Sequence, residues 1–247
     1  MKFTSLSLLT SLFSYALASP VARASKPPYL FLIGDSTVAV NGGWGDGLLS
    51  YIKDPAEGEN RGKSGSTTVS WKTNGRWEAL IEDIEANADS YEPIVTVQFG
   101  HNDQKSLELS EFQSNLEDIA TDIKSAGGTP ILITSLTRRS FDGSEVIQDL
   151  ADWRKATISA AKAVGVKYLD LNLASTDYVN AIGKEDAQNY NLASSDRTHL
   201  NSAGEAVFGR MTLDLLLEAR EDLAEYFESN EALSEKIANG EYASGDE

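Results

Sequence analysis

The chain has 247 residues, of which 41% are hydrophobic and 24% are charged, and these values predict one globular domain with a sizeable core. It carries 38 acidic against 21 basic residues, for a formal net charge of −17, which argues against a nucleic acid or an anionic membrane surface as a partner. Cysteine is absent, which excludes disulfide bonds, thiol catalysis and cysteine-ligated metal sites.

The first residues are typical of a secretory signal peptide. Lys2 gives a positive start, and an apolar stretch follows over 6–18. Ala16 and Ala18 provide the small residues of a cleavage site before Ser19, and Ala22 and Ala24 offer a second site downstream. The apolar stretch is too short to span a bilayer as a helix. We therefore expect residues 1–18 to be a signal peptide, residues 19–28 an N-terminal segment, and the mature protein to be secreted with no membrane partner. An uncleaved N-terminal anchor is the alternative.

Short apolar runs alternate with amphipathic stretches along the rest of the chain. Runs predicted as buried strands cover 29–33, 94–99, 131–134 and 166–169. Helices are predicted over 77–86, 146–164 and 203–223, and over a stretch that begins at Ser110 as N-cap and repeats apolar residues from Phe112 to Ile123. This alternation implies an α/β fold, with a doubly wound parallel sheet and helices on both faces.

No internal repeat and no interdomain linker is visible, so we expect a single folded domain over 29–228 and a monomer. From about Glu218 onward the sequence is acidic. Residues 229–247 are predicted to form an acidic C-terminal tail that frays.

Polar residues follow the predicted strands, at the edge where ligands bind in a doubly wound sheet. Ser36 comes after the first strand, and Asp196 and His199 lie three residues apart near the end of the chain. A serine becomes a strong nucleophile when a base takes its proton and a carboxylate fixes the tautomer of that base. We therefore predict Ser36 as nucleophile, His199 as base and Asp196 as the orienting group. Taken singly, Ser36 is equally suited to cap a helix, and His199 to lie on the surface.

Four blocks of the sequence resemble those of the SGNH, or GDSL, hydrolase family. They are Gly34-Asp35-Ser36, a glycine at Gly65, Gly100-His101-Asn102-Asp103, and Asp196-x-x-His199. The resemblance spans residues 29 to about 215 and implies a flavodoxin-like sheet with a catalytic domain over 29–228. It also implies an oxyanion hole formed by the backbone amides of Ser36 and Gly65 and the side chain of Asn102, which would stabilise the charge of a tetrahedral intermediate.

Within this family the chain is most similar to rhamnogalacturonan acetylesterases, through residues 34–37, 43–45, 99–103 and 196–204. This similarity implies a secreted serine esterase that removes acetyl groups from an acetylated plant cell-wall polysaccharide, with rhamnogalacturonan as the first choice. Two alternatives remain: a broad-specificity or lipase-like esterase, and a carbohydrate-binding protein of the same fold without catalysis.

Substrate contacts are predicted from residues that follow strands. Arg138 and Arg139 are expected to project over the crevice, where arginine can hold a carboxylate with two bonds. His101 either contacts the substrate or supports the loop of Asn102. Lys63, Lys72 and Arg76 lie in segments expected to reach the same face. With two histidines and no His-x-x-x-His pair, neither a metal nor another cofactor is predicted.

Overall fold

The computed structural model describes residues 26–247, so the predicted signal peptide (1–18) and residues 19–25 lie outside the described residues. The strands are β1 (Pro28–Gly34), β2 (Glu57–Asn60), β3 (Glu92–Gln98), β4 (Thr129–Ile133), β5 (Phe141–Asp142), β6 (Glu145–Val146) and β7 (Lys167–Leu169). Five of them form a parallel sheet in the order β2-β1-β3-β4-β7, while β5 and β6 form a small antiparallel hairpin. With the hairpin set aside, this is the flavodoxin-like order 2-1-3-4-5.

Helices cover both faces of the sheet. They are α1 (Gly45–Leu49), α2 (Arg76–Asn87), α3 (Leu109–Ser125), α4 (Ala151–Val164), α5 (Leu171–Ala187), α6 (Ser202–Ala219) and α7 (Glu231–Asn239). Alternate residues of β1 point to opposite faces, as the two-residue period of a strand requires. Leu30 and Leu32 pack with α1, α5, α6 and α7, whereas Phe31 and Ile33 pack with α2, α3 and α4. The two hydrophobic cores explain why β1, β3 and β4 are mostly apolar on both faces.

The four strands predicted from the sequence are confirmed to within two residues at each end. The edge strand Glu57–Asn60 was not predicted, because it is polar and its pairing with β1 rests on backbone hydrogen bonds. Helix α5 was also missed. Its buried face includes Asn172, Ser175 and Thr176, which hide the apolar spacing of an amphipathic helix.

Three predicted helix limits are wrong. The helix expected over 146–164 begins at Ala151, because Val146 belongs to the hairpin. Ser110 is not an N-cap; Glu108 takes that position with extended dihedrals and no side-chain capping bond. The helix expected over 203–223 ends at Ala219, and a 3₁₀ helix covers Glu221–Tyr226.

The prediction that residues 229–247 fray is also wrong, because this segment packs against the domain. Helix α7 buries Leu233 completely. Further on, the Tyr190 hydroxyl donates to the carbonyl of the buried Ala243 at 2.7 Å. The Lys236 ammonium lies 2.8 Å from the Glu247 carboxylate. No helix within residues 26–247 is both long and apolar enough to cross a membrane.

Candidate active site

The turn that follows β1 holds Ser36 at the carboxyl edge of the sheet. A side chain at Gly34 would place its Cβ 2.4 Å from the carbonyl oxygen of Gln98, so glycine is required where β1 pairs with the end of β3. Asp35 Oδ1 accepts hydrogen bonds from the amide and the hydroxyl of Thr37, at 2.9 and 2.8 Å. These bonds close the turn on itself and leave the Ser36 side chain at the surface of the site, in a residue that is 8% exposed.

Ser36, His199 and Asp196 form a continuous chain of side chains. His199 Nε2 lies 2.8 Å from Ser36 Oγ, and His199 Nδ1 lies 2.8 Å from Asp196 Oδ2. The other oxygen, Asp196 Oδ1, accepts the backbone amides of Thr198 and His199, both at 2.9 Å. The structure therefore brings together the three residues predicted from the sequence as nucleophile, base and orienting group.

The Asp196 carboxylate is held in its ionised form. Burial raises the pKa of Asp196. The amides of His199 and Thr198 and the His199 imidazole lower it by more, so the net pKa lies below the ordinary range. An ionised Asp196 accepts the Nδ1 hydrogen of His199. In that tautomer Nε2 is left free to accept the hydroxyl hydrogen of Ser36.

A second contact, which the sequence did not predict, fixes the loop beside the imidazole. Gly42 lies against the His199 ring and has a φ of 143°, which favours glycine. Its amide donates to Glu205 Oε1 at 2.7 Å, and its carbonyl accepts the amide of Leu200 at 2.9 Å. Burial raises the pKa of Glu205 above its ordinary range, which the Gly42 amide offsets in part. The sequence signal for this contact was Glu205 itself, an acidic residue in the first turn of α6. Negative charge at that position also complements the helix dipole.

The predicted oxyanion donors lie in loops that are tied to the Ser36 turn. The amide of Lys63 donates to the carbonyl of Gly34 at 2.9 Å, which joins the loop of Gly65 to the end of β1. Gly65 has a φ of 79°, a conformation that favours glycine. Asn102 Nδ2 donates to the carbonyl of Ser66, next to Gly65, at 3.0 Å. Within residues 26–247 the backbone amides of Ser36 and Gly65 have no hydrogen-bond acceptor, so both are available to a ligand.

The Asp103 carboxylate joins the loop that carries Gly65 to the loop that carries Asn102. Its Oδ1 accepts the amide and the hydroxyl of Thr68 at 2.8 and 2.7 Å, and its Oδ2 accepts the amide of Gly100 at 3.2 Å. Burial raises the pKa of Asp103 above its ordinary range, although the Thr68 bonds oppose the shift. Asp103 was part of the third residue block of the sequence resemblance, but its structural role was not foreseen.

His101 does not reach the substrate face. It is 2% exposed, and its Nδ1 lies 3.6 Å from Asp35 Oδ2 beneath the nucleophile turn. Burial raises the pKa of Asp35, but His101 and the Thr37 bonds outweigh it, so the net pKa of Asp35 is low. The substrate contact considered for His101 is wrong, because the ring is buried beside Asp35 in the Ser36 turn. Support of the Asn102 loop by His101 stays a prediction.

The two arginines predicted to project over the crevice occupy different environments. Arg138 donates from Nε to Thr198 Oγ1 at 3.2 Å and forms an ion pair with Asp149, so it stays near the site but is already engaged. Arg139 is completely buried, against the backbone of the segment 196–199. The prediction that Arg139 projects over the crevice is wrong, because its guanidinium is turned inward to backbone and side-chain acceptors.

An open cavity of about 400 Å³ adjoins the loop of Gly65 and has three basic residues in its lining. It is lined by Glu59, Arg61, Gly62, Lys63, Trp71, Arg76, Ala79 and Asp83. Arg61 is paired with both acidic groups, while Lys63 and Arg76 are not among the ion pairs of the described residues. Trp71 is 1% exposed and offers no free ring face. No group of three or more metal-ligand side chains is arranged to hold an ion within the part of the chain that the structure describes.

The comparison with known families gives the class of the protein. Residues 32–207 match the GDSL-like lipase/acylhydrolase family, and this match includes every residue of the Ser36–His199–Asp196 chain. The protein therefore belongs to this family and is a carboxylic ester hydrolase.

Three individual proteins are similar to this chain, each at a sequence identity of 28% or less. Rhamnogalacturonan acetylesterase RhgT of Bacillus subtilis strain 168 is 28% identical over 229 residues, which cover 83% of this chain and 97% of that protein. Among solved structures, YxiM of Bacillus subtilis matches with a TM-score of 0.66 at 23% identity, covering 81% of this chain but 58% of that one. Axe2, an acetylxylan esterase from Geobacillus stearothermophilus, matches with a TM-score of 0.56 at 19% identity, over 78% of this chain and 94% of that one. The two structural matches show a shared fold.

Proposed function

We propose that this protein is a secreted serine esterase that removes acetyl groups from an acetylated plant cell-wall polysaccharide, with rhamnogalacturonan as the first candidate. The observation that carries the chemistry is the chain of two 2.8 Å contacts from Ser36 through His199 to Asp196. This arrangement is sufficient for acyl transfer without a cofactor.

In the proposed reaction, Ser36 Oγ attacks the carbonyl carbon of the acetyl ester while its proton passes to His199 Nε2. The tetrahedral intermediate collapses when His199 returns that proton to the sugar oxygen, which leaves as an alcohol. Water then attacks the acetyl-Ser36 ester by the same route, with His199 again as the base, and acetate is released. Asp196 remains ionised throughout and stabilises the imidazolium that forms in each step.

The negative charge of the tetrahedral intermediate needs donors placed in advance. The amides of Ser36 and Gly65 have no acceptor of their own among the described residues, and Asn102 Nδ2 uses one hydrogen on Ser66 and keeps the other. Such donors stabilise the transition state more than the ground state, because full charge develops on the oxygen as the bond forms.

The choice of an anionic polysaccharide rests on similarity and on local charge. The relative named as a rhamnogalacturonan acetylesterase covers most of this chain. Lys63 and Arg76 flank the cavity beside the Gly65 loop, in a protein whose net charge is −17. Two cations at this place would offset the long-range repulsion that a galacturonate polymer meets on approach.

A broad-specificity acyl esterase is the second candidate, favoured by exposed apolar groups near the site. Val40, Val69 and Leu192 lie in the loops that carry the site, with exposures of 54%, 47% and 49%. An apolar rim of this kind accepts the acyl chain of a longer ester.

We also propose that the protein acts as a secreted monomer, without a nucleic acid or membrane partner. Expression of the whole chain in a secreting host, followed by mass spectrometry of the mature N-terminus, tests secretion. A product that begins at Ser19 is expected, and retention of the full chain in the cell would contradict the proposal.

The substrate is tested by comparing acetate release from acetylated rhamnogalacturonan and acetylated xylan with hydrolysis of a long-chain acyl ester. We expect the highest kcat/KM on acetylated rhamnogalacturonan, and no activity on any substrate in Ser36→Ala. Faster turnover of the long-chain ester would favour the broad esterase. Equal activity of wild type and Ser36→Ala would contradict the proposed mechanism itself.

A further inference from the structure

Arg139 is a charged residue in an environment that ordinarily excludes charge. It is 0% exposed, and its Nη1 has no hydrogen-bond partner among the described residues. Burial lowers the pKa of its guanidinium to about 10, and the nearby Asp196 carboxylate opposes this shift. At that pKa the guanidinium stays charged at neutral pH. Burying a charge in this way is costly, and an apolar side chain of similar size is often at least as stabilising. A role limited to filling the core does not account for an arginine here.

The bonds of Arg139 converge on the segment that carries the base. Its backbone amide donates to the carbonyl of Arg197 at 2.9 Å, and its Nη2 donates to the carbonyl of His199 at 2.7 Å. Arg139 thus contacts the backbone on both sides of Thr198, within the turn that joins Asp196 to His199.

A second set of bonds fixes the guanidinium itself. Arg139 Nε donates to Asn191 Oδ1 at 2.7 Å, and Asn191 Nδ2 donates to Gln188 Oε1 at 2.8 Å. The amide of Leu192, beside Asn191, also donates to the His199 carbonyl, at 3.0 Å. The His199 backbone is therefore held from two directions by groups that share one network.

We infer that Arg139 is a positioning residue, which holds the His199 backbone so that the imidazole reaches Ser36 and Asp196 together. This inference rests on the proposed function, since it assigns His199 as the base. The imidazole itself makes two hydrogen bonds, one to each partner, so its placement depends on the backbone behind it. A displacement of about 1 Å in a catalytic group can lower the rate by roughly 100-fold.

The test compares Arg139→Gln and Arg139→Lys with Arg210→Gln as the matched control. Arg210 is also buried, at 6% exposure, and donates to Ser234 of α7 at 2.8 Å. Among residues 26–247 its hydrogen bonds and ion pair go to Ser234, Glu228 and Asp214, and none goes to residues 196–199. Rates are expressed per folded molecule, with the folded fraction measured by circular dichroism and size-exclusion chromatography. Hydrolysis of an aryl acetate reports kcat and KM, and phosphonylation of the protein by an aryl phosphonate ester reports the reactivity of Ser36.

We expect Arg139→Gln to lower kcat and the phosphonylation rate by roughly 10- to 100-fold, with KM little changed. Arg139→Lys, which keeps the charge and one donor nitrogen, should recover part of the loss. Arg210→Gln should retain the wild-type kcat per folded molecule. If Arg139→Gln does not fold, the inference is tested by the kcat of Arg139→Lys per folded molecule, which should be lower than that of the wild type.

Wild-type kcat and phosphonylation rates in the folded Arg139 variants would overturn the inference, as would an equal loss in Arg210→Gln. Ser36→Ala is measured in parallel to separate this result from failure of the proposed function. If Ser36→Ala is inactive while the Arg139 variants are unaffected, the inference alone fails. If Ser36→Ala is active, the proposed function fails.

Discussion

The Nε2 atom of His199 lies 2.8 Å from Ser36 Oγ, although 163 positions separate the two residues in the chain. Ser36 is set by the turn after β1, and His199 by a loop that is anchored to Gly42 and to Arg139. The contact thus depends on how the two ends of the domain pack together, and each support of that packing can be tested.

The first prediction concerns the oxyanion donors. Asn102→Ala should lower kcat on an aryl acetate by roughly 10²- to 10³-fold, the usual loss for one such donor, with a smaller change in KM. Steady-state kinetics checks this result. A change confined to KM would instead make Asn102 a ground-state contact.

The second prediction concerns His101, which lies below the nucleophile turn and not beside the substrate. His101→Ala leaves the buried Asp35 carboxylate without its neighbour, so it should destabilise the fold by about 1–3 kcal/mol. Urea unfolding measures this loss. A large fall in kcat with unchanged stability would return His101 to the substrate face.

The third prediction concerns the anchor of the Gly42 loop. Glu205→Gln keeps an acceptor oxygen for the Gly42 amide, whereas Glu205→Ala removes it. We expect a kcat close to wild type in Glu205→Gln and a lower kcat in Glu205→Ala, because Gly42 packs against the His199 ring. Equal kcat values in the two variants would show that the anchor does not affect His199.

The fourth prediction concerns pH. The pKa of Asp196 is lowered by folding, so its ionised form contributes stability that is complete above the ordinary aspartate pKa of about 3.9. This contribution is lost as the pH falls through the lower folded-state pKa. The stability difference between wild type and Asp196→Asn should therefore shrink as the pH falls below about that ordinary value, as measured by urea unfolding across pH. A difference that grows as the pH falls through this acidic range would contradict the assigned direction.

The fifth prediction concerns recognition of an anionic polymer. Replacing both Lys63 and Arg76 with Gln should raise KM for acetylated rhamnogalacturonan and weaken its dependence on salt, because the local positive potential is removed. Hydrolysis of a neutral aryl acetate should hardly change. Lys162→Gln, an exposed charge on α4, is the control and should leave both substrates unaffected. Equal losses on both substrates would point to damage to the site.

The sequence predicted those parts of the structure that depend on local patterns. The apolar runs from Tyr29 and Ile94 identified strands because both faces of the sheet are buried. The pairing of Asp196 with His199 followed from their spacing on one turn. Ser36 was found because residues at strand ends meet at one edge of a parallel sheet.

The missed features depend on contacts between distant segments. Arg139 follows β4, and the sequence gives no sign that its side chain turns inward to His199. The same holds for Glu205, whose acceptor role requires Gly42 to lie beside it. Helix α7 was taken for a tail because its single completely buried side chain, Leu233, is outweighed by acidic neighbours. Amino-acid composition predicts which residues face the solvent, but it does not predict which segments pack against the rest of the domain.

The most direct test of the central claim is the site of covalent labelling by an aryl phosphonate ester, located by mass spectrometry of peptides. The reagent reports the same activation as ester cleavage, because its phosphorus is attacked by a serine whose proton is taken by a base. We predict one adduct on Ser36 in the wild type, no adduct in Ser36→Ala, and much slower labelling in His199→Ala. Labelling of another residue at the wild-type rate in Ser36→Ala, or of Ser36 at an unchanged rate in His199→Ala, would contradict the account.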